Sequence, residues 1–167
     1  MTKILSIDPS GNFTEGKGKT GFAMYVNKDD KQEFFFGTIK AEDHPTRVDY
    51  WYDIALLIAI QKPTALVVED YRLYNTPATG AAVQSFSQLE TPRLLGILEQ
   101  TAQMNRVPIT FQMANVTKPY TDEKLEKLGI LTKKKNRWWF RDKALNDHER
   151  SALRHLLRYL DKEGIKI

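Results

Sequence analysis

The stretch KILSIDPSGNFTEGKGKTGFAMYV, residues 3–26, decides the fold. Its first six residues form a short apolar run that ends in Asp8, a pattern typical of a buried strand with an acid at its end. The Gly- and Lys-rich segment that follows predicts a mobile hairpin turn. Residues 20–26 and 31–40 then have the β-branched and aromatic content of two further strands. The chain therefore opens with a predicted three-stranded meander.

Helical and strand patterns alternate after this meander. A helix is predicted over residues 46–61, and because it is apolar nearly all round toward its end, the sheet or a partner subunit must cover it. The next strand ends in two acids, Glu69 and Asp70. The remaining predicted elements are a mostly helical segment that restarts near Pro92 (80–105), a strand (107–113) and two helices (121–129 and 147–160). The order β-β-β-α-β-α-β-α-α predicts an α/β fold with a mixed five-stranded sheet and helices on both faces.

Length and composition predict one soluble globular domain over residues 1–167. Hydrophobic residues make up 41% of the chain and charged residues 28%. No apolar run approaches the ~20 residues that span a bilayer, and the apolar part of the N-terminal segment is too short for a secretory signal. The chain has no cysteine, which excludes disulfides and thiolate metal sites. We expect a cytoplasmic protein without a membrane partner.

The positive charge is concentrated in TKKKNRWWFRDK, residues 132–143. This segment has a net charge of +5, whereas the whole chain has +4. Three aromatic residues lie among the basic ones, a combination that suits a phosphate backbone with bases to stack upon. In the alternative interpretation the segment is a solvated basic loop whose aromatic rings turn into the core. The candidate DNA contacts here are Lys133, Lys134, Lys135 and Arg137.

Two predicted strands end in acids, Asp8 and Glu69. Such acids can cap helices or pair with lysines. If the two strands are neighbours, however, the carboxylates converge and repel each other unless a cation lies between them. Hard oxygen ligands select Mg²⁺ or Mn²⁺, and a pair of such ions can activate water against a phosphodiester.

The order of these motifs resembles the RuvC-type Holliday junction resolvases of the RNase H-like superfamily, particularly their phage versions. In that family an Asp on the first strand is followed by a Thr-Gly pair, a Glu after the fourth strand, a Lys after the fifth, and a last helix with an acid or His three residues before Asp-Ala. The corresponding positions here are Asp8, Thr20-Gly21, Glu69, Lys118, and His148 with Ser151-Ala152. The resemblance spans nearly the whole chain.

The resemblance implies a homodimer that binds four-way or other branched DNA and cuts it with Mg²⁺ or Mn²⁺, without an organic cofactor. If the chain is phage-encoded, its location is the host cytoplasm. Asp8 and Glu69 would hold the metal, and Lys118 would lie near the scissile phosphate. The other expected DNA contacts are two lysines of the long loop after Asp8 and three residues just after Glu69, where the family places a wedging aromatic: Lys17, Lys19, Tyr71, Arg72 and Tyr74.

Position 151 departs from the family pattern, because it carries Ser where the last metal-binding Asp is expected. A hydroxyl brings no charge to offset a cation. Three explanations stay open: an inactivating substitution, replacement of the missing acid by Asp147, and a natural protein that binds branched DNA without cutting it. His148 is a candidate metal ligand or general base for the attacking water, whereas His155 is interpreted as structural.

Two other kinds of site are disfavoured. Asp147, His148 and Ser151 invite comparison with a catalytic triad, but adjacent helix residues diverge by about 100°, so Asp147 cannot readily orient His148. The DPSG and TG motifs also resemble the first phosphate loop of actin-like phosphotransferases. Those enzymes need a second phosphate loop and an adenosine pocket, for which this chain has no room.

Overall fold

The computed structural model describes residues 1–14, 16–71 and 89–167. The main sheet has five strands in the order β3-β2-β1-β4-β5. These strands are β1 (Thr2–Asp8), β2 (Lys19–Lys28), β3 (Lys31–Lys40), β4 (Ala65–Asp70) and β5 (Ile109–Met113). The first three pair antiparallel, whereas β4 runs parallel to both β1 and β5. The predicted mixed five-stranded sheet is confirmed, and it is the sheet of the RNase H-like fold.

The parallel pairing brings the predicted strand ends together. The edge of the main sheet at which β1, β4 and β5 end is called the carboxyl edge below. Asp8 is the last residue of β1, and Glu69 lies one residue before the end of β4. The antiparallel strand β2 begins at the same edge, because Gly21 is the cross-strand partner of Asp8.

Helices cover both faces of the sheet, as predicted. The helices are α1 (Arg47–Gln61), α2 (Glu90–Met104), α3 (Asp122–Lys127) and α4 (Asp147–Lys162). The first two pack on one face around Leu5, Ile7 and Leu66. On the opposite face α4 packs with α3 over Ile4, Tyr25 and Val67. No helix in the described ranges is long and apolar enough to cross a membrane.

The basic segment forms a second, three-stranded antiparallel sheet that the sequence analysis did not predict. Its strands are β6 (Thr132–Lys134), β7 (Arg137–Phe140) and β8 (Lys143–Leu145). Lys135 and Asn136 form the connection between β6 and β7 with φ angles of 47° and 61°. A two-residue turn of this kind needs positive φ at both positions and joins two strands tightly. Without an NG or DG pair, the sequence lacked the usual signal of such a turn.

The loop between β1 and β2 is anchored at its first half, which corrects the prediction of a mobile turn. The buried carboxylate of Glu90, at the start of α2, accepts hydrogen bonds from the backbone N–H of Phe13 (2.8 Å) and from Thr14 Oγ1 (2.9 Å). Arg47 Nη1 lies 3.2 Å from the same carboxylate. A buried charge that is satisfied in this way holds the loop against α2.

Candidate active site

The site is built at the carboxyl edge, where β1, β4 and α4 meet. Asp8 and Glu69 approach each other as a pair of carboxylates, called the acid pair below. His148, in the first turn of α4, places its Nδ1 atom 3.0 Å from Asp8 Oδ2. Ser151, one turn further along the helix, donates its hydroxyl to Glu69 Oε2 at 2.9 Å. Two residues of one helix face therefore each contact one member of the acid pair.

Gly21 allows α4 to come this close to the sheet. A Cβ atom at this position would lie 2.3 Å from the carbonyl carbon of His148 and 2.7 Å from the backbone nitrogen of Glu149. Real Cβ atoms do not approach backbone so closely, so only glycine fits beneath the N-terminus of α4. The Thr-Gly pair of the sequence thus has a structural role in placing His148.

Thr20, the other member of that pair, fixes the chain just after Asp8. Its buried hydroxyl accepts a hydrogen bond from the backbone N–H of Ser10 at 3.0 Å. Tyr50 Oη lies 3.0 Å from the same hydroxyl and donates to the Ser10 carbonyl at 2.7 Å. Burial raises the pKa of Tyr50 to about 12, against hydrogen bonds with Thr20 that lower it, so the phenol stays protonated as a donor.

Burial and mutual repulsion separate the protonation states of the acid pair. The pKa of Asp8 is raised by burial and by the neighbouring Glu69, although the hydrogen bond with His148 lowers it. Burial also acts to raise the pKa of Glu69, but the neighbouring His155 and the hydrogen bonds with Ser151 and Asp8 outweigh it and lower this pKa. Glu69 is therefore the ionised partner, and Asp8 retains a proton more readily.

His148 is shifted in the direction that favours its charged form. The hydrogen bond with Asp8 raises the pKa of His148, opposed by burial and by the positive charge of Lys19. The charge of Lys19 therefore acts at this site from the start of β2. With Nδ1–H donating to Asp8, Nε2 is the ring nitrogen available to a substrate or a water: it is an N–H donor in the charged ring and an acceptor in the neutral ring.

The structure does not bring Asp147 to the acid pair. Its side chain is 88% exposed, and its carboxylate accepts a hydrogen bond from Arg150 Nη2 at 2.7 Å. The sequence argument that Asp147 lies on nearly the same helix face as Ser151 did not account for Arg150, which competes for the carboxylate. The proposed replacement of the missing acid by Asp147 therefore lacks the required contact in this conformation.

His155 is the residue that the sequence analysis undervalued. It is 1% exposed, and its Nδ1 atom lies 3.0 Å from Gln112 Oε1 while its Nε2 atom lies 3.3 Å from Glu69 Oε2. Gln112 is in turn the cross-strand partner of Glu69 on β5. His155 follows Ser151 by four residues, so its place on the same helix face could be predicted. Its contact with Glu69 could not, because that contact depends on the depth at which α4 packs.

The remaining predicted residues are at least partly exposed or lie outside the described ranges. Lys118 is exposed in the 3-10 turn Ala114–Tyr120 that follows β5. Lys17 and Lys19 are exposed in and after the loop that follows Asp8, and Tyr71, next to β4, is 37% exposed. Arg72 and Tyr74 lie outside the described residues. The basic side chains of positions 133–135 and 137 are exposed on the small sheet.

The donor set fits one hard divalent cation. Within the described residues no group of three or more His, Cys, Asp or Glu side chains is arranged to hold a metal ion. Mg²⁺ is nevertheless commonly held by one or two carboxylates with water completing its shell. The acid pair offers such carboxylates, and a cation would remove the repulsion that raises the pKa of Asp8.

Comparison with solved structures identifies the fold. RuvC from Thermus thermophilus in complex with Holliday junction substrate superimposes with a TM-score of 0.64 at 17% identity, covering 99% of this chain and 98% of that chain. The Fowlpox virus resolvase, solved with Holliday junction DNA, gives a TM-score of 0.52 at 10% identity, covering 97% of this chain and 99% of that chain. No protein-family model and no curated protein sequence matches the chain. The chain therefore has the fold of RuvC-type resolvases, as the resemblance predicted.

Proposed function

We propose that the chain is a metal-dependent, structure-selective DNA endonuclease, built as a single nuclease domain over residues 1–167. It would act in the cytoplasm on Holliday junctions or other branched DNA. The observation that carries this proposal is the convergence of the acid pair with His148 at the carboxyl edge of a RuvC-type sheet. The choice of substrate is supported by the two similar structures that contain Holliday junction DNA.

In this proposal Asp8 and Glu69 hold Mg²⁺ or Mn²⁺, with His148 beside them as a further ligand or a base. A divalent cation held there would supply an activated water and stabilise negative charge on the phosphate. His148 is oriented by Asp8, and the neutral ring, present above its raised pKa, would accept a proton from the attacking water at Nε2. Lys118, exposed in the 3-10 turn that follows β5, would stabilise the charge that develops on the scissile phosphate.

The proposed DNA path runs along the carboxyl edge. Lys17 and Lys19 would contact the sugar-phosphate backbone from the loop after Asp8, where the charge of Lys19 already reaches His148. Tyr71 lies two residues after Glu69 and is partly exposed, which suits an aromatic that contacts unstacked bases. Arg72 and Tyr74 remain candidate contacts by their position in the sequence.

Ser151 bears on how well the chain cuts. Its hydroxyl donates to Glu69, and His155 adds a second contact to the same carboxylate. Both contacts satisfy Glu69 without a cation, whereas an Asp at position 151 would add a charge that favours one. We therefore propose that cleavage by this sequence is impaired. The same contacts favour the second candidate function, a protein that binds branched DNA without cutting it.

Restoring the acid tests the proposal. We expect Ser151→Asp to cut four-way junctions in Mg²⁺ or Mn²⁺ at least about ten-fold faster than the parent, which corresponds to ~1.4 kcal/mol of activation free energy. Cleavage is read on denaturing gels with four-way, forked and linear DNA, and Ca²⁺ serves as the binding-only ion. The double variant Asp8→Asn, Ser151→Asp is the control and should bind without cutting. A Ser151→Asp protein that binds junctions but never cuts them would favour the binding protein.

A homodimer completes the proposal, since two symmetric cuts need two sites. The outward side of α1 carries three exposed apolar residues, called the α1 patch: Val48 (70% exposed), Tyr52 (62%) and Ile60 (64%). The apolar surface continues across Ile97 of α2. Exposed apolar surface of this kind commonly marks an interface, and the patch is the surface that we propose a second copy covers.

A further inference from the structure

The small sheet separates its aromatic residues onto two faces. Side chains alternate along a strand, so Trp138 and Phe140 of β7 point to one side and Arg137 and Trp139 to the other. Phe140 is buried, and Trp138 packs against the core beneath α4. Trp139 therefore lies on the opposite side, which is called the outer face below. The sequence analysis offered two interpretations of the three rings, that they stack on bases or that they turn into the core. Trp138 and Phe140 turn into the core and Trp139 does not, so neither interpretation holds for all three.

The outer face combines one aromatic ring with three cations. Lys134 is the cross-strand partner of Arg137, and its Nζ atom lies 5.8 Å from the centre of the Trp139 ring. These residues and Lys135 of the adjoining turn line one concave surface. Among the described residues, Lys134, Lys135 and Arg137 form no ion pair with a carboxylate. Their charge is therefore available to an anionic ligand.

Trp139 also has an unused hydrogen-bond donor. Its indole nitrogen is buried and has no acceptor among the described residues. Leaving a buried donor unpaired costs about 1–3 kcal/mol. A ligand that shifts Lys134 away from the ring would both uncover the ring and offer acceptors to this N–H. Buried polar groups in folded proteins are nearly always paired, so this exception calls for a specific explanation, and a ligand that supplies the acceptor is one.

The outer face is held close to the candidate active site. Ala144 of β8 is the cross-strand partner of Trp139. It precedes His148 by only four residues, so the Cα atoms of Ala144 and His148 are at most about 14 Å apart. Lys143 donates to the carbonyl of Phe36 on β3, and Asn146 Nδ2 donates to Thr38 Oγ1 at 2.7 Å. These contacts tie the small sheet to the main sheet next to α4.

From these observations we infer that the outer face binds an unpaired stretch of DNA, with Trp139 stacking on a base and Lys134, Lys135 and Arg137 holding the flanking phosphates. This rests on the proposed function only in taking DNA as the ligand. Unpaired nucleotides suit the face better than duplex, because the bases of a duplex are already stacked and offer no free ring surface to Trp139. An acidic protein segment would use the cations but not the ring.

Binding of a fluorescent oligothymidylate in EDTA tests the inference without cleavage. We expect Trp139→Ala to weaken binding by about 5- to 150-fold, the range found for loss of one base stack, and Trp139→Phe to retain most of the affinity. Lys134→Gln with Arg137→Gln should lower the slope of log affinity against log salt by about 1.4, near 0.7 for each lost phosphate contact. Trp138→Phe on the inner side and Lys31→Gln at the far end of β3 are the matched controls and should bind like the parent.

Two results would overturn the inference. One is a Trp139→Ala protein that folds, as judged by circular dichroism, and binds oligothymidylate as tightly as the parent. The other is a polyglutamate peptide that competes as well as the oligonucleotide, which would assign the face to an acidic protein. The outcome is separable from the proposed function. If Trp139→Ala loses binding while Ser151→Asp never cuts, the outer face is a DNA-binding surface and the proposed nuclease activity is wrong. If Trp139→Ala keeps binding while Ser151→Asp cuts, only the inference about the outer face is wrong.

Discussion

At the scale of single residues, the contact between His148 and Asp8 sets the protonation of the site. The Nδ1–Oδ2 distance is 3.0 Å, and the bond raises the pKa of His148 against the opposing effect of burial. A folded-state pKa above the unfolded value means that the contact adds stability in full below about pH 6.5. This stability is lost as the pH rises through the folded-state pKa.

Asp8→Asn should therefore lower the pKa of His148, measured from the ring-proton shifts of the three histidines by NMR. The unfolding free energy of the parent should also fall relative to that of Asp8→Asn as the pH rises above neutrality, because the parent loses the stability that the charged His148 adds. Asp53→Asn is the matched control. A hydrogen bond between Asp53 and His44 Nε2, 2.9 Å long, raises the pKa of His44. Asp53→Asn should therefore lower the pKa of His44 and leave the pKa of His148 unchanged. An unchanged His148 titration in Asp8→Asn would mean that the contact does not form in solution.

At the scale of elements, the packing of α4 on β2 decides where the catalytic candidates stand. The helix is capped by Asn146, whose side chain accepts from the Glu149 backbone while Glu149 reaches back to the Asn146 N–H. Such a capping box begins the helix at one defined residue. Its first turn then rests directly on Gly21. Position and register of His148 thus follow from one cap and one glycine.

Gly21→Ala should destabilise the protein by about 1–3 kcal/mol, the usual cost of forcing an extra carbon into a packed interior. The new Cβ meets backbone atoms of α4, which cannot rotate away as a side chain would. The unfolding free energy is measured by urea titration, and the His148 pKa should fall toward its ordinary value as α4 is displaced. Gly96→Ala in α2 is the control, since a Cβ added there meets no described atom within 4 Å beyond its chain neighbours and the backbone of its own helix. That change should stabilise the helix by about 0.5–1 kcal/mol; equal effects of both variants would contradict the packing argument.

At the scale of the whole molecule, the two faces of the sheet differ in what covers them. On the α4 side the small sheet closes over the core. On the other side the α1 patch is exposed, and α1 has apolar residues on both its inner and outer surfaces. A second copy related by two-fold symmetry would cover the patch with the same patch, as isologous dimers do.

Val48→Glu combined with Tyr52→Glu should convert the proposed dimer to a monomer. Burying two such side chains contributes roughly 3–6 kcal/mol in total, so the dimer should weaken by about 100-fold or more. Light scattering after size exclusion at micromolar concentration measures the change. Leu128→Glu, at a comparably exposed apolar residue next to α3, serves as the control and should leave the mass unchanged. A parent protein that is monomeric at these concentrations would rule out the proposed dimer.

The sequence by itself determined the succession of the five main-sheet strands along the chain and the two acids at strand ends, because apolar runs, turns and caps are local signals that survive in any context. Only the tertiary structure decided which partners those acids have. Asp8 meets a residue 140 positions away and Glu69 one 82 positions away. It also assigned Asp147 to Arg150, His155 to Glu69 and Trp139 to the outer face. Such contacts depend on helix depth and strand register, which arise from packing over long sequence separations and leave no periodic trace in the chain.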